Sequence, residues 1–499
     1  FRSSAASDVY KRQINKFAKK ALFPGDFPKK IMKEFAVELA VPFCDITNCS
    51  LKTGVFPVYC KRAEITPIPK CTPLKALSDL RPISKTPILG KIIEKRILLE
   101  LQKDIKGKLD NDQYGNEKGC STTHYLIKVM DEAYRATDKG LATTAITIDY
   151  AKAFDYVSHE VLIEKLKNLG VRGSIINLII SFLSNRSHCT KVLDATSPFV
   201  EISCGIPQGT CLGPLLFVIL IDGIKCPLVL NFKYIDDKTL AYSYSGDPTE
   251  ILQMALNTEA AATLQDKMII NGDKCHVITF NFSQNNSAPS DLYLNDALIQ
   301  PSDTIKLLGV MISNDLKWDA NTSHICSKVN RKFHLLWKMK QFGLSTEELI
   351  VAWKTMIRPI TEYAAPLWHS GLTDAQNNQI ESLQKKALSM IMGTEYIDHK
   401  KYYKYGKDRL CYEDVLVKVD LVPLKNRRAT VTDRFTLDSC KNKRHNDMFP
   451  KKHYERASGR TRVQVQEKLC RTKRYYKSAG PHMLRTLNGI SMYTTDNNA

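Results

Sequence analysis

The sequence predicts a mixed α+β first part, a helical second part and a strongly basic C-terminal region. From about residue 23 to residue 300, stretches with helical spacing of apolar residues alternate with short β-branched runs. After about Cys326 the apolar residues recur almost only at helical spacing, which is typical of helices packed on one another. A basic tail with weaker periodicity follows from about Tyr396.

Local signals predict the individual elements in order. Helices are expected at 92–105 and 158–169, the second with Ser158 as N-cap and Gly170 as stop. The β-branched runs predict strands at two places: 144–148 and 277–280. In the second part, helical spacing is shown by two sets of residues: Val329, Phe333, Leu336 and Met339, then Leu383, Ala387 and Met390.

The charge of the chain points to a polyanionic partner. Its 499 residues include 72 Lys and Arg against 52 Asp and Glu, a formal net charge of +20. Residues 401–499 alone hold 23 basic and 10 acidic residues. Some of these basic residues alternate with aromatic ones, which is typical of a surface that follows phosphates: Lys425, Arg427, Arg428, Lys441, Lys443, Arg444, Lys451 and Lys452. A solvated face without a ligand is the alternative.

Composition also excludes several classes of protein. A hydrophobic content of 43% builds packed cores, so the whole chain is not disordered. The longest apolar run, 215–221, is too short to cross a bilayer, and we expect no membrane association. Residues 1–13 contain no signal peptide, resemble non-native junction sequence and are left out of the predicted fold. Fourteen cysteines without paired C-x-x-C spacing indicate reduced thiols in an intracellular protein.

Two carboxylate-bearing stretches suggest a metal-dependent site. Asp149 ends the apolar run that begins at Ala145, which taken alone also fits an ordinary end of a strand. Asp236 and Asp237 form a predicted two-residue turn between apolar strands. Adjacent like charges repel, and neither residue has the freedom of glycine that tight hairpins favour. A divalent cation would remove this difficulty, since carboxylates on neighbouring strands can hold paired Mg²⁺ ions for phosphoryl transfer.

A glycine- and proline-rich loop lies between these two stretches. Residues 205–214 (G-I-P-Q-G-T-C-L-G-P) precede a helix-like apolar stretch, 215–220. Such a stiff, closely approachable loop is suited to lie under a nucleotide or a template base. A purely structural turn is the alternative, although a turn would not need Gln208.

These motifs resemble those of a known family. Asp149–Asp155 (D-Y-A-K-A-F-D), Gly205–Gly213 (G-I-P-Q-G-T-C-L-G) and Tyr234–Asp237 (Y-I-D-D) resemble motifs A, B and C of reverse transcriptases, in the same order. Flanking segments resemble the non-LTR retrotransposon (LINE-type, jockey-like) branch of that family: Asn48–Pro57, Ala63–Lys70, Asp79–Ser84, Lys306–Trp318 and Ile357–Trp368. The resemblance covers about residues 24–393.

The resemblance implies an α+β right-hand polymerase fold that copies RNA into DNA. Fingers and palm with an antiparallel palm sheet are expected over 14–325, a helical thumb over 326–395 and the basic C-terminal region over 396–499. The implied cofactor is a pair of Mg²⁺ ions, with Mn²⁺ as a substitute. The implied partners are an RNA template, a DNA primer or target, and deoxynucleoside triphosphates, with the nucleus as the place of action.

The resemblance also implies roles for single residues. Asp149, Asp236 and Asp237 are expected to be catalytic and to bind the metal. Phe154 is expected to exclude a ribose 2′-hydroxyl, with a core aromatic as the alternative. The other expected nucleotide-binding residues are these: Lys70 and Arg81 on the triphosphate, Gln208 and Gly209 in the loop, and Lys274 near the leaving pyrophosphate.

Departures from the family pattern affect fine template handling rather than chemistry. They are Ile235 in place of Ala, Asn116 in place of an aromatic residue, and Cys275 in place of Thr. No endonuclease-like segment precedes the predicted fingers, so we expect no DNA-nicking activity in this chain. One cysteine–histidine set has spacings too loose to favour a zinc site: Cys440, His445, His453 and Cys470.

Two other functions compete with the polymerase. A catalytically silent nucleic-acid-binding remnant of a retroelement would keep the fold and the basic surface. The residues that argue against such decay are intact: Asp149, Asp236, Asp237 and Gln208. An RNA-templated RNA polymerase would share the carboxylates without needing a bulky residue at Phe154.

Overall fold

The computed structural model describes residues 4–18, 22–70, 73–393, 410–455 and 461–495. Their mixture of helices and strands confirms the predicted α+β character. The predicted start of the basic tail, near residue 396, lies outside the described residues. No helix in the described ranges is both long enough and apolar enough to cross a membrane. The cysteines within those ranges are free thiols.

A central five-stranded sheet carries the site. Its strands lie in the order β12-β9-β3-β8-β7, with every pair antiparallel except β12 and β9. The strands are β3 (Ala142–Ile148), β7 (Leu230–Tyr234), β8 (Asp237–Tyr244), β9 (His276–Phe280) and β12 (Gln300–Pro301). Both predicted strands are confirmed, as β3 and β9, each starting slightly earlier than expected.

Alternate residues of this sheet enter two separate cores. Ala145 and Ile278 face one apolar cluster, whereas Ile146 and Val277 face the other. Because successive side chains of a strand point to opposite faces, a strand covered on both sides must be apolar almost throughout. Six of the seven residues of β3 are buried, which explains why the strand consists of Ala, Ile and Thr alone and carries no charged residue before Asp149.

Helices cover both faces of the sheet. The helices of this first part are α1 (Ser4–Phe17), α2 (Lys29–Glu34), α3 (Ala40–Thr53), α4 (Ile88–Asp104), α5 (Thr122–Asp138), α6 (His159–Asn168), α7 (Gly173–Leu183), α8 (Gly213–Leu220) and α9 (Thr249–Gln265). Both predicted helices are confirmed, as α4 and α6; Ser158 is the N-cap of α6, and Gly170 follows its end with a φ of +65°. Residues 4–13, left out of the predicted fold, belong to α1, whose Tyr10 is buried.

A second sheet lies beside the central one. Its path is β2-β1-β4-β5, and β6 also pairs with β4. The strands are β1 (Arg62–Pro69), β2 (Leu80–Lys85), β4 (Arg186–Val192), β5 (Ala195–Thr196) and β6 (Val200–Ile202). β1 and β2 form an antiparallel pair in which Ile68 lies opposite Arg81. Short hairpins complete the strands of this part: β10 (Tyr293–Leu294) with β11 (Ala297–Leu298), and β13 (Thr304–Leu307) with β14 (Val310–Ser313).

The predicted helical part is helical, but it begins before residue 326. Its helices are α10 (Asp319–Gln341), α11 (Thr346–Ala352), α12 (Ala365–Trp368) and α13 (Asp374–Met392). The boundary predicted at residue 325 therefore falls inside α10. Ser345 and Thr373 start α11 and α13 with capping boxes, each accepting a backbone N–H three residues later.

The C-terminal region packs against α5 beneath the central sheet. It contains α14 (Tyr412–Lys418), α15 (Leu424–Cys440), β15 (Lys451–Glu455), β16 (Thr461–Val465), α16 (Lys473–Tyr476) and α17 (Ala479–Thr495). Lys468 forms an ion pair with Asp131 of α5 at 2.6 Å, and the carboxylate of Asp138 accepts the backbone N–H groups of Arg471 and Thr472. These contacts attach the C-terminal region to α5, which packs on the central sheet.

Candidate active site

The hairpin of β7 and β8 carries the two adjacent aspartates. Tyr234 pairs with Asp237, so the two turn residues are Ile235 and Asp236. The prediction that Asp236 and Asp237 form the turn is therefore wrong by one position, because Asp237 already belongs to β8. Ile235 has a φ of +57°, which a β-branched residue rarely adopts, and this strain needs support from the surroundings.

Gln113 supplies part of that support. Its side-chain oxygen accepts the backbone N–H of Ile235 at 3.0 Å and that of Gly115 at 2.7 Å. A Cβ at Gly115 would lie 2.6 Å from the nitrogen of Ile235, so only glycine permits this close approach. The turn that presents Asp236 is thus held by a loop more than a hundred residues away in sequence.

Asp149 lies beside this hairpin because of the strand register. Ile148, the last residue of β3, pairs with Lys238, which places Asp149 next to Asp237. The backbone carbonyl of Asp149 accepts the N–H of Asn271 at 2.8 Å. That bond brings the following turn close enough for the Nζ of Lys274 to lie 3.7 Å from the Asp149 carboxylate. The structure thus brings together all three predicted carboxylates and Lys274.

The electrostatics favour a cation at this place. Desolvation by the surrounding protein raises the pKa of Asp149 and of Asp236, although part of each side chain still reaches solvent. The pKa of Asp237 is raised to about 6, first by desolvation and then by the charges of Asp236 and Asp149. Each shift opposes ionisation, and a bound cation would reverse this opposition.

Lys70 and Arg81 approach the carboxylates from the second sheet. Lys70 follows β1, and its Nζ donates to the carbonyl of Ser78 at 2.9 Å. Both cations are exposed to solvent. The charge of Lys70 lowers the pKa of Asp149, and that of Arg81 lowers the pKa of Asp236, against the larger effect of desolvation. Both therefore face the same opening as the aspartates.

The glycine-rich loop is attached to β2 of the second sheet and to the segment that follows β3. The Nε2 of Gln208 donates to the carboxylate of Asp155 at 3.1 Å, and its carbonyl accepts the N–H of Ser84 in β2 at 2.7 Å. Gly209 has a φ of +104°, and a Cβ there would lie 3.1 Å from the carbonyl oxygen of Ser84. The loop therefore needs glycine at this position for conformation as well as for space.

Phe154 occupies a half-buried position next to this loop. Its ring stacks on Phe217 of α8 with centroids 4.9 Å apart, and its carbonyl accepts the N–H of Ile206 at 2.8 Å. One face of the Phe154 ring thus packs on the core, and part of the side chain remains accessible to solvent. Both roles considered for Phe154 are compatible with this placement.

Comparison with known proteins decides the family of this site. Residues 68–312, which contain all nine predicted site residues, match the family model described as reverse transcriptase (RNA-dependent DNA polymerase). The chain carries a reverse transcriptase domain. The predicted kinship with LINE-type elements is confirmed by relatives among mobile-element polymerases.

Two relatives of this reverse transcriptase domain come from Drosophila melanogaster. The chain is 28% identical over 373 residues to the RNA-directed DNA polymerase from mobile element jockey, covering 70% of this chain and 40% of that protein. It is 24% identical over 371 residues to the probable RNA-directed DNA polymerase from transposon X-element, with the same coverage of 70% and 40%. The chain thus spans about 40% of the length of these relatives.

The donor set of the reverse transcriptase domain suits Mg²⁺ by type and by charge. Three carboxylates supply the hard oxygen ligands that this ion prefers, and among the residues that the structure describes no Lys or Arg pairs with Asp237 in the way that Lys274 approaches Asp149. Within the described ranges, no three His, Cys, Asp or Glu side chains form a ready-made metal site. The same finding covers Cys440, His445 and Cys470, while the side chain of His453 lies outside the described residues.

Sequence reasoning missed two supports of the reverse transcriptase site. Glu94 of α4 is buried, and its carboxylate accepts the backbone N–H of Cys211 at 2.5 Å and of Leu212 at 3.3 Å, which anchors the glycine-rich loop. Gln113 is the second support, through its bond to the backbone N–H of Ile235. A carboxylate among the apolar residues of α4 is a signal that could have revealed Glu94, whereas nothing local distinguishes Gln113.

The predicted phosphate-following surface needs correction at three arginines. Arg428 is fully buried, where it donates to Asn377 at 2.7 Å and lies over the ring of Trp368. Arg427 pairs with Glu362 at 3.2 Å. Arg444 donates to backbone carbonyls, as described below. A guanidinium can bind several acceptors at once, so these residues help to hold the C-terminal region together; Arg428 is buried, whereas the side chain of Arg427 remains 38% exposed.

Proposed function

We propose that the chain is an RNA-directed DNA polymerase of a non-LTR retrotransposon, extending a DNA primer on an RNA template. The supporting observation is that Asp149, Asp236 and Asp237 lie together where the end of β3 is next to the start of β8, with basic residues facing them. Lone carboxylates stabilise no anionic transition state, but carboxylates that hold cations beside a triphosphate site do.

The proposed reaction is a nucleotidyl transfer. The primer 3′-oxygen attacks the α-phosphorus of a deoxynucleoside triphosphate, the bond to the bridging oxygen of the β-phosphate breaks, and pyrophosphate leaves. When bound by the three aspartates, two Mg²⁺ ions, or Mn²⁺ in their place, would favour ionisation of the primer hydroxyl and neutralise the leaving group. Lys70 and Arg81 would hold the triphosphate, and Lys274 would give a proton to the departing pyrophosphate.

Selection of the nucleotide would depend on the loop and on Phe154. Gln208 and Gly209 would lie under the incoming nucleotide and the template base, a role supported by their attachment to β2. The accessible part of the Phe154 ring would meet the sugar and exclude a 2′-hydroxyl. Because Phe154 rests on Phe217, its ring would resist displacement by the nucleotide.

The architecture would follow the right-hand plan. The second sheet with its helices would form the fingers, the central sheet the palm, and α10–α13 the thumb. Exposed lysines of the C-terminal region would contact the RNA template or the DNA primer, in a manner weakened by salt. We infer the nucleus as the place of action, since a genomic DNA end would serve as primer there.

Primer extension tests this proposal. The chain is incubated with poly(rA), oligo(dT), dTTP and Mg²⁺, and compared with Asp236→Ala and with Asp194→Ala in the exposed turn before β5. Asp236→Ala should reduce extension by at least about a thousandfold, because metal-based charge stabilisation provides several kcal/mol, while Asp194→Ala should retain activity. Equal extension by the unaltered chain and Asp236→Ala would contradict the proposal and favour the silent remnant.

A further inference from the structure

The Asp110–Gly119 loop joins the catalytic hairpin to the C-terminal region. On one side it extends the central sheet: the N–H of Lys233 donates to the carbonyl of Asp112 at 2.9 Å, and the N–H of Tyr114 donates to the carbonyl of Lys233 at 2.8 Å. Lys233 precedes the Ile235–Asp236 turn by only two residues. Any shift of this loop is therefore transmitted to the turn within the same strand.

The same loop holds the turn directly through Gln113. The Gln113 oxygen accepts the Ile235 N–H at 3.0 Å, next to the strained φ of +57°. Strained backbone of this kind persists only where its surroundings fix it. The position of the Asp236 carboxylate therefore depends on where the backbone of Gln113 lies.

Arg444, in the C-terminal region, fixes that backbone. Its Nη2 donates to the carbonyl of Gln113 and, at 3.1 Å, to the carbonyl of Asn111, while its Nη1 lies 3.7 Å from Glu117. One planar guanidinium thus binds three points of the same loop. A lysine has a single donor centre and cannot reproduce this geometry.

The residues around Arg444 are themselves anchored. Its backbone N–H donates to the side chain of Asn442 at 3.1 Å. The ring of His445 stacks on His124 of α5 with centroids 4.0 Å apart and bonds the carbonyl of Gly119 at 3.0 Å. Arg444 is therefore presented from a rigid base instead of a mobile tail.

We propose that Arg444 is a positioning residue for the polymerase site: through Gln113 it holds the Ile235–Asp236 turn, so that the C-terminal region completes the catalytic centre. This inference rests on the proposed polymerase function. It also assigns Arg444 differently from its sequence-based prediction as a phosphate contact, and the two assignments have different consequences.

Steady-state kinetics separate these assignments. The full chain is compared with Arg444→Gln, Arg444→Lys and the control Arg172→Gln, whose exposed arginine pairs with two carboxylates of α4. At saturating template–primer, Arg444→Gln should lower kcat by about tenfold to a hundredfold, as a displacement near 1 Å can do, and raise the Mg²⁺ concentration for half-maximal rate. The kcat of Arg444→Lys should lie between that of Arg444→Gln and that of the unaltered chain. The kcat of Arg172→Gln should equal that of the unaltered chain.

Binding measurements give the second readout. By fluorescence anisotropy with labelled template–primer, the Kd of Arg444→Gln should stay within about twofold of that of Arg172→Gln, since one charge is lost in each. A kcat equal to that of Arg172→Gln would overturn the inference. So would a weakened Kd with a normal kcat at saturating template, because this is the behaviour of a phosphate contact.

Gln113→Ala provides a test that does not depend on the folding of Arg444→Gln. It removes the acceptor for Ile235 but leaves the backbone carbonyl that Arg444 binds, and it should show the same rise in Mg²⁺ requirement. Because the two residues act in series, the double variant should be no worse than the more affected single variant. Independent, multiplying effects would contradict the series arrangement. An inactive unaltered chain would instead count against the polymerase proposal itself.

Discussion

A buried charge cluster beneath the carboxylates allows a quantitative test of the palm packing. Lys238 of β8 and Glu259 of α9 form an ion pair in which neither side chain is exposed (0% and 0%). The hydroxyl of Tyr150 donates to the same carboxylate at 3.0 Å, and the Nζ of Lys238 also donates to the carbonyl of Ile224 at 3.0 Å. Tyr150 and Lys238 directly follow Asp149 and Asp237, so Glu259 links the two catalytic strands from below.

We expect Glu259→Gln to lower the free energy of unfolding by about 3–5 kcal/mol, the cost of leaving a buried charge without its partner. Glutamine keeps the shape of the side chain and an acceptor for Tyr150, so the change isolates the missing charge opposite Lys238. The measurement is urea-induced unfolding followed by circular dichroism. Glu250→Gln, at an exposed position in the first turn of the same helix, should cost less than about 1 kcal/mol.

A double replacement completes this test. Lys238→Met with Glu259→Leu removes both charges, and should recover most of the lost stability because well-packed apolar residues commonly equal a buried ion pair. If the free energies of unfolding of Glu259→Gln and Glu250→Gln differ by less than about 1 kcal/mol, other groups already compensate the charge of Lys238, and the electrostatic reasoning is refuted.

Two further predictions concern the site itself. Because desolvation and the charges of its neighbours raise the pKa of Asp237 to about 6, primer extension should fall as the pH decreases through that value, where the carboxylate gains a proton. Added Mg²⁺ should move the midpoint to lower pH, as a cation favours the ionised form; a midpoint independent of Mg²⁺ would show that Asp237 does not interact with the metal. Phe154→Val should increase incorporation of UTP relative to dTTP, measured by single-nucleotide extension on poly(rA). An unchanged ratio, with melting temperature lowered by loss of the Phe217 stacking, would assign Phe154 to the core alone.

The C-terminal region has two kinds of basic residue. Arg427, Arg428 and Arg444 bind carboxylates, amides or carbonyls of the rest of the protein, although the side chain of Arg427 is still 38% exposed. Others, such as Lys425 and Lys441, are exposed and form only long surface ion pairs, at 3.7 Å and 3.9 Å, which a polyanion could replace. Only part of the positive charge of this region is therefore available to a nucleic acid, and the remainder serves the packing against α5 and the active-site loop.

The sequence by itself determined the family and pointed to the candidate chemistry-bearing residues. Three patterns of neighbouring residues carried this information: the apolar run that ends in Asp149, the loop that contains Gly209, and Asp236–Asp237 between apolar runs. Such local patterns can be recognised in the sequence without knowledge of the fold. Even there, the exact turn was not predictable: the register that makes Ile235 and Asp236 the turn residues depends on cross-strand pairing of β7 with β8.

Only the tertiary structure decided which polar residues support that chemistry. Glu94, Gln113, Glu259 and Arg444 each bind a partner between 21 and 331 positions away in the chain, so no spacing rule identifies them. A basic residue has the same appearance in sequence whether it faces a phosphate or a buried carbonyl. The difference lies in desolvation: burial removes water from the guanidinium of Arg428, and its acceptor, the side chain of Asn377, lies 51 positions away in the chain, so only the folded chain brings the two together.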